Sequence, residues 1–108
     1  MAKRKVDEIA LNAVKTFVLE VSKHYKVDAA LLFGSFAKGK QNENSDIDVA
    51  IVSGDIENTF DDMVKMMSLR WDVDLRIEPH PIKTEEFYKK ETPFIAEIIK
   101  TGIPIYLV

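Results

Sequence analysis

The sequence contains no cysteine, so disulfide bonds and thiolate metal ligands are both excluded. Any metal ion must therefore bind to oxygen or imidazole groups. The sequence also lacks a long apolar run, and its basic N-terminal residues lead into an amphipathic segment. We therefore expect no signal peptide, no membrane span and a cytoplasmic location. The formal net charge of -3 gives no basic excess of the kind that stable nucleic-acid binding requires.

The remaining composition is that of a folded protein, with 46% hydrophobic and 31% charged residues. The length of 108 residues is typical of one domain, so we expect a single domain over residues 1–108. A chain of this size has little room for a separate domain that would bind a second substrate.

Apolar periodicity predicts alternating helices and strands. In chain order these are a helix from Val6 to Val21, strands over 29–33 and 46–52, a helix begun by Asn58, a strand over 73–77, a short helix over 84–90, a helix from Thr92 to Gly102 and a strand over 105–108. Pro79 and Pro81 are expected to stop the third strand, because proline cannot occupy a central strand. This order predicts an α/β (α+β) fold with a small sheet.

Gly34 and Ser35 follow the first predicted strand directly. Glycine allows a sharp turn and the close approach of a ligand. The backbone N–H groups of such a turn, together with the Ser35 hydroxyl, can bind an anion. A plain turn at the end of a strand has the same residues, so the pair alone is weak evidence of function.

Carboxylates recur on two of the predicted strands. Asp46 and Asp48 share one face of a strand, where two carboxylates repel each other unless a cation lies between them. Mg²⁺ prefers such carboxylates together with phosphate oxygens. The alternative is the solvated face of an edge strand, but the same face continues with two apolar residues. Asp72 and Asp74 share a face of the third predicted strand, which could bring one of them beside the first pair.

Taken together, these features resemble the signature of the DNA polymerase β-like nucleotidyltransferase superfamily. Gly34-Ser35, ten intervening residues and Asp46-Ile47-Asp48 give the pattern GSx₁₀DxD. The short chain is most similar to the minimal nucleotidyltransferases, and the resemblance spans essentially its whole length. It implies that family's fold, a small mixed sheet with helices packed mainly on one face. It also implies an Mg²⁺-dependent enzyme that transfers a nucleoside monophosphate, by preference AMP from ATP, to an acceptor hydroxyl.

The resemblance implies roles for individual residues. The candidates for binding the nucleoside triphosphate are Gly34, Ser35, Lys38 and Ser45. The candidates for catalysis, and for binding two Mg²⁺ ions (or Mn²⁺ in their place), are Asp46, Asp48 and Asp74.

Other residues carry competing or weaker signals. Asp72 competes with Asp74 as the third acid, but Asp74 is preferred because it lies deeper in the apolar run, where an unpaired carboxylate is costly. Lys38 also has the more common interpretation of a solvated surface lysine. His24 and His80 lie far from the motif along the sequence and are interpreted as ordinary residues.

Minimal members of the family often pair with a helical HEPN-domain protein, as antitoxin to its toxin, and some modify that partner with AMP. The resemblance implies such a partner here. The helix after Asn58 carries Phe60 and three methionines, with Trp71 just beyond. These side chains do not all fit on the one side of the helix that faces the core, so some should be exposed. We expect the exposed ones to form a contact surface, in a homo-oligomer, a HEPN complex or both.

Two other functions stay open. One is a regulatory module that binds nucleotide without turnover. The other is a small-molecule adenylyltransferase of the antibiotic-modifying type, although those enzymes carry an additional helical domain for the acceptor.

Overall fold

The computed structural model of the protein describes residues 7–42 and 44–107. In chain order its elements are α1 Glu8–Val21, β1 Val27–Phe33, α2 Ser35–Lys38, β2 Ile47–Ser53, α3 Thr59–Ser68, β3 Ile77–Lys83, α4 Thr84–Tyr88, α5 Pro93–Thr101 and β4 Ile103–Leu107. Val6, which begins the first predicted helix, and Val108, which ends the last predicted strand, lie outside the described residues. Within them, no helix has the length and apolar character needed to cross a membrane.

The four strands form one sheet in the spatial order β3-β2-β1-β4. β1 is antiparallel to both β2 and β4, whereas β2 is parallel to β3. Parallel neighbours require a crossover, and α3 provides it between β2 and β3. The predicted fold class, with its small mixed sheet, is thereby confirmed. β3 and β4 are the edge strands, and β2 lies inside the sheet.

Each face of the sheet is covered by its own helical layer. One face packs against α1, α2 and α3 in the larger core, which includes buried Phe17, Phe36 and Met66. The other face packs against the short helices α4 and α5, with Phe87 and Ile98 in the smaller core. The helices therefore lie mainly, but not only, on one face. Because both faces are covered, the central strands are apolar on both sides after their first residues.

Two of the helices begin at the residues that the sequence predicts as N-caps. The Asn58 side-chain oxygen accepts a hydrogen bond from the Asp61 N–H at 3.0 Å, at the start of α3. The Thr92 hydroxyl accepts from the Ile95 N–H at 3.1 Å, at the start of α5. Each bond satisfies one of the free donors of a first helical turn.

The third strand is not where the alternation of the sequence predicts it. Residues 70–76 form successive turns, in which the Arg70 carbonyl accepts from the N–H groups of Val73 and Asp74 at 2.9 and 3.1 Å. The Asp74 carboxylate reinforces them by accepting from the Arg76 N–H at 2.9 Å. Local bonds of this kind compete with strand formation. The predicted strand over 73–77 is therefore wrong, and β3 begins only at Ile77.

Pro79 and Pro81 lie inside β3, where they were expected to end a strand. The expectation is wrong because β3 is an edge strand, in which a nitrogen that faces outward needs no hydrogen. The Arg76 carbonyl accepts from the Ile47 N–H of β2 at 2.8 Å. Since the direction of bonding alternates along a strand, the nitrogens of both prolines face the open edge.

Candidate functional site

A tight turn at Gly34 connects the end of β1 to the start of α2. The Gly34 backbone has φ 75° and ψ -150°, a combination that other residues rarely adopt. A β-carbon at this position would lie 2.5 Å from Oδ2 of Asp48 on the neighbouring strand. Glycine is therefore needed both for the turn and for the close approach of the Asp48 carboxylate to the backbone.

Three carboxyl groups meet where β2 and β3 run side by side. Asp48 and Glu78 are register partners. Asp46, just before β2, lies close enough to the Glu78 carboxyl group to raise its pKa. Burial raises the pKa of Glu78 most, the neighbouring Asp46 carboxyl adds to this, and the charges of both aspartates raise it further against the opposing effect of His80. A bound cation would relieve this mutual repulsion.

His80 completes the cluster from the same face of β3. Its Nε2 lies 3.1 Å from Oδ1 of Asp48 and 3.9 Å from Oε1 of Glu78. The ring packs edge-on against Phe33, with the ring centroids 4.9 Å apart, and lies 6.0 Å from the ring of Phe94. The interpretation of His80 as a residue remote from the motif is wrong, because strand pairing brings it directly to Asp48.

The donor atoms of Asp48, Glu78 and His80 fit a divalent cation. One oxygen or nitrogen from each residue lies within 4.8 Å of the other two. The three side chains are 25%, 43% and 27% exposed, so water or a phosphate oxygen can complete the coordination. The missing side chain at Gly34 keeps the second oxygen of Asp48 accessible.

Asp74 does not join this cluster. Its two oxygens lie 3.1 Å from Nε and 2.8 Å from Nη2 of Arg76. The hydrogen bond with Arg76 lowers the pKa of Asp74, against the opposing effect of burial. Asp72 is exposed and lines a separate cleft beside Glu20 of α1. The acid that meets Asp48 across the strands is Glu78, and a catalytic role for Asp74 stays a prediction that this placement does not support.

The other predicted nucleotide-binding residues surround the turn. Ser35 is the first residue of α2, and Lys38 is exposed at its end. The Ser45 hydroxyl oxygen accepts from the Asn42 N–H at 2.9 Å and so shapes the loop that leads to Asp46. Contacts between these side chains and a nucleotide stay predictions.

The sequence does carry a pattern that indicates a shared strand face for Glu78 and His80, although it does not give the neighbouring strand. Both alternate with Pro79 and Pro81, and an edge strand tolerates prolines whose nitrogens face outward. Interpreting this stretch as an edge strand places the acid and the histidine together on one face.

A cleft of about 280 Å³ opens beside His80. β3 forms its floor, Thr59 and Met63 of α3 line one side, and Phe94 of α5 lines another. The cleft adjoins the carboxylate cluster through His80.

Residues 5–107 match the family described as "Polymerase beta, Nucleotidyltransferase". This chain belongs to the polymerase β nucleotidyltransferase family. The resemblance inferred from GSx₁₀DxD is thus confirmed, and the protein is a transferase of the nucleotidyltransferase class. Within the described residues, the carboxylates beside the glycine turn are of the residue type that can bind the divalent cations used in nucleotidyl transfer.

Several known proteins are similar to this nucleotidyltransferase. A Methanocaldococcus jannaschii protein, provisionally named a protein adenylyltransferase, is 31% identical over 101 residues, which cover 87% of this chain and 95% of the relative. The crystal structure of a provisionally named nucleotidyltransferase from Sulfolobus solfataricus has a TM-score of 0.62 and 25% identity, with 87% and 77% of the chains covered. A crystal structure of a toxin-antitoxin with AMP-PNP has a TM-score of 0.62, with 90% and 74% covered; at 19% identity it shows a shared fold.

Proposed function

We propose that this nucleotidyltransferase transfers AMP from ATP to a hydroxyl group on a partner protein, and that it acts in the cytoplasm as the antitoxin of a toxin-antitoxin pair. The observation that carries the proposal is the register pairing of Asp48 with Glu78 directly beneath the Gly34 turn. This pairing puts carboxylates for divalent cations next to a backbone turn that can approach phosphate groups. Residues 1–108 act as one catalytic domain.

Each part of the site has a distinct task in this proposal. Gly34 and Ser35 bind the triphosphate through backbone N–H groups and a hydroxyl. Asp46, Asp48 and Glu78 hold two divalent cations, with Mg²⁺ as the first candidate, and Glu78 takes the role that the sequence motif suggests for Asp74. Bound cations would neutralise charge on the phosphates and favour ionisation of the acceptor hydroxyl.

Positioning supplies the rest of the catalysis in this proposal. The carboxylates are held on two hydrogen-bonded strands, so their separation does not depend on a mobile loop. The cleft beside His80 admits the acceptor, and its side chains exclude part of the surrounding water. The acceptor hydroxyl attacks the α-phosphate and pyrophosphate leaves on the opposite side.

The partner is proposed to be a helical protein of the HEPN type. Two observations support a protein partner: a relative named as a protein adenylyltransferase and a structural neighbour described as a toxin-antitoxin. On this chain, the side chains of Phe60 and Trp71 are 67% and 72% exposed, whereas Met66 is fully buried. The prediction that some side chains of this set are exposed is confirmed, and we assign these two aromatic residues to the contact surface.

The test is transfer from ATP that carries a radiolabel at the α-phosphate, in the presence of the protein encoded next to this chain's gene. Label should appear on the partner with the wild-type chain. Asp48→Asn and Glu78→Gln should each abolish labelling while circular dichroism shows an intact fold. Asp74→Asn should retain transfer, because Asp74 pairs with Arg76 outside the cluster.

Asp72→Asn serves as the matched control, since it removes an exposed carboxylate of the same segment. Loss of transfer in Asp74→Asn with full activity in Glu78→Gln would restore Asp74 as the third acid. Absence of label on any protein, with label on a small metabolite instead, would refute the proposed acceptor.

A further inference from the structure

We propose that Asp48, Glu78 and His80 form a mixed carboxylate–imidazole site that binds a first-row transition-metal ion such as Mn²⁺ in preference to Mg²⁺. The inference rests on the proposed function in that it concerns the same carboxylates. It goes further in making His80 a direct metal ligand and in naming the class of metal that the imidazole selects.

The distances between the donor atoms agree with binding to one ion. For a metal–ligand bond of about 2.1 Å, neighbouring ligands of an octahedral ion lie about 3 Å apart and opposite ligands about 4.2 Å apart. The Nε2 atom of His80 lies 3.1 Å from the Asp48 oxygen and 3.9 Å from the Glu78 oxygen. Both separations fall in this range, and the two carboxylate oxygens lie within 4.8 Å of each other. One ion can therefore contact all three groups after side-chain adjustment.

Aromatic packing helps to set the position of the imidazole. Phe33 of β1 contacts the ring at 65° to its plane, with a centroid distance of 4.9 Å, and Phe94 of α5 lies at 6.0 Å. The register partner of His80 on β2 is Ala50, whose small side chain leaves room for the ring to reach Asp48. A ligand whose orientation is held by packing loses little freedom when an ion binds.

The chemistry of nitrogen donors determines which ions this site prefers. Mg²⁺ is a hard ion that takes oxygen ligands and gives up its water reluctantly. Imidazole is a softer donor, and affinity for sites that contain it rises along the divalent first-row metals. Two carboxylates alone would suit Mg²⁺ well, so the addition of His80 shifts the balance towards transition metals.

An alternative role for His80 is to donate a hydrogen bond that only orients the Asp48 carboxylate. In that case the imidazole would not contact the ion and would confer no preference between metals. The two roles differ in whether a histidine nitrogen is magnetically coupled to a bound paramagnetic ion.

The experiment uses Mn²⁺ as the probe, added to the full chain alone and again with a non-hydrolysable ATP analogue. Electron paramagnetic resonance gives the amount of bound Mn²⁺, and competition with Mg²⁺ gives the preference. Electron spin-echo envelope modulation then detects a coordinated nitrogen. We expect modulation from nitrogen in the wild-type chain, and a change in its frequencies when the histidines carry a heavy nitrogen isotope.

The variants separate His80 from the carboxylates. Loss of a residue that only orients a metal ligand typically costs 10–100-fold in metal affinity, and loss of a direct ligand should cost at least as much. His80→Gln should therefore weaken Mn²⁺ binding by at least about tenfold, weaken Mg²⁺ binding less, and remove the nitrogen modulation. His24→Gln is the matched control, because His24 is the other histidine of the chain and is exposed. It should leave both measurements unchanged. Glu78→Gln should weaken both metals together.

The possible failures are distinguishable. If Mn²⁺ binds and Glu78→Gln weakens it, but no nitrogen modulation appears, the imidazole is not a ligand and this inference is overturned while the carboxylate site stands. If neither ion binds in the presence or absence of the ATP analogue, the metal site of the proposed function fails and the inference fails with it. The isotope measurement on the wild-type chain needs no variant, so misfolding of His80→Gln cannot hide the outcome.

Discussion

Replacing Gly34 with alanine should impair both stability and ligand binding. The backbone at φ 75° and ψ -150° is a conformation that costs a residue with a β-carbon about 1–3 kcal/mol. The added carbon would also lie 2.5 Å from Oδ2 of Asp48, so the carboxylate must move. We therefore expect the free energy of unfolding to fall by at least about 2 kcal/mol. For a domain of this size that corresponds to a Tm lower by about 8–16 °C.

Thermal and urea denaturation followed by circular dichroism measure the first effect, and calorimetry with Mn²⁺ and ATP measures the second. Gly54→Ala is the matched control, because the nearest atom to its added β-carbon is the Thr84 hydroxyl at an ordinary 3.9 Å. This control should change the free energy of unfolding by less than about 0.5 kcal/mol. If Gly34→Ala matches Gly54→Ala in both Tm and affinity, the close approach of the turn to Asp48 is not what requires glycine.

The Tyr25 hydroxyl donates a hydrogen bond of 2.6 Å to the buried Asp62 carboxylate. Tyr25→Phe should therefore lower the free energy of unfolding, measured by urea denaturation, by about 1.5–3 kcal/mol. That hydrogen bond is the main reason that the pKa of Asp62 lies below its ordinary 3.8. The stabilisation that comes from the ionised Asp62 is therefore complete above pH 3.8 and is lost as the pH falls further. Tyr25→Phe should make the free energy of unfolding fall less steeply at acid pH. An unchanged acid profile would contradict the assignment. Ser35→Ala should weaken ATP binding by about 1–2 kcal/mol in calorimetry, and an unaltered affinity would leave the hydroxyl without a role at the phosphates. Replacing both Phe60 and Trp71 with serine should abolish association with the partner in sedimentation and leave the Tm nearly unchanged, since both are exposed; persistent association would locate the contact surface elsewhere.

The parts of the fold that the sequence predicts correctly are those specified over a few neighbouring residues. The turn at Gly34 requires only a glycine at the end of an apolar strand, and Asn58 needs only a helix after it. The same holds for β2, whose alternation predicts its bounds to within one residue at each end. In all three cases the physical cause lies within the segment itself.

The acid that meets Asp48 across the strands could not be found in the same way, because its position depends on which strands are neighbours. Asp74 fits a local alternation, yet its side chain forms a turn with Arg76 and is paired there. Glu78 and His80 become a site only when β3 is placed parallel to β2 in a register that pairs Glu78 with Asp48. Strand order and register are long-range properties, and two prolines concealed the strand that carries these residues.

The prolines of β3 also affect how another polypeptide can approach the candidate site. Along the open edge, neither Pro79 nor Pro81 has a hydrogen to donate, the Ile77 N–H donates to the Asp74 carbonyl, and the Ile77 carbonyl accepts from Arg70. An extended segment therefore finds almost no donors with which to pair as a fifth strand beside Glu78 and His80. Strand addition by a peptide or by a second copy of the chain is therefore disfavoured at this edge, and a protein that approaches Glu78 and His80 from this side would contact them through its side chains.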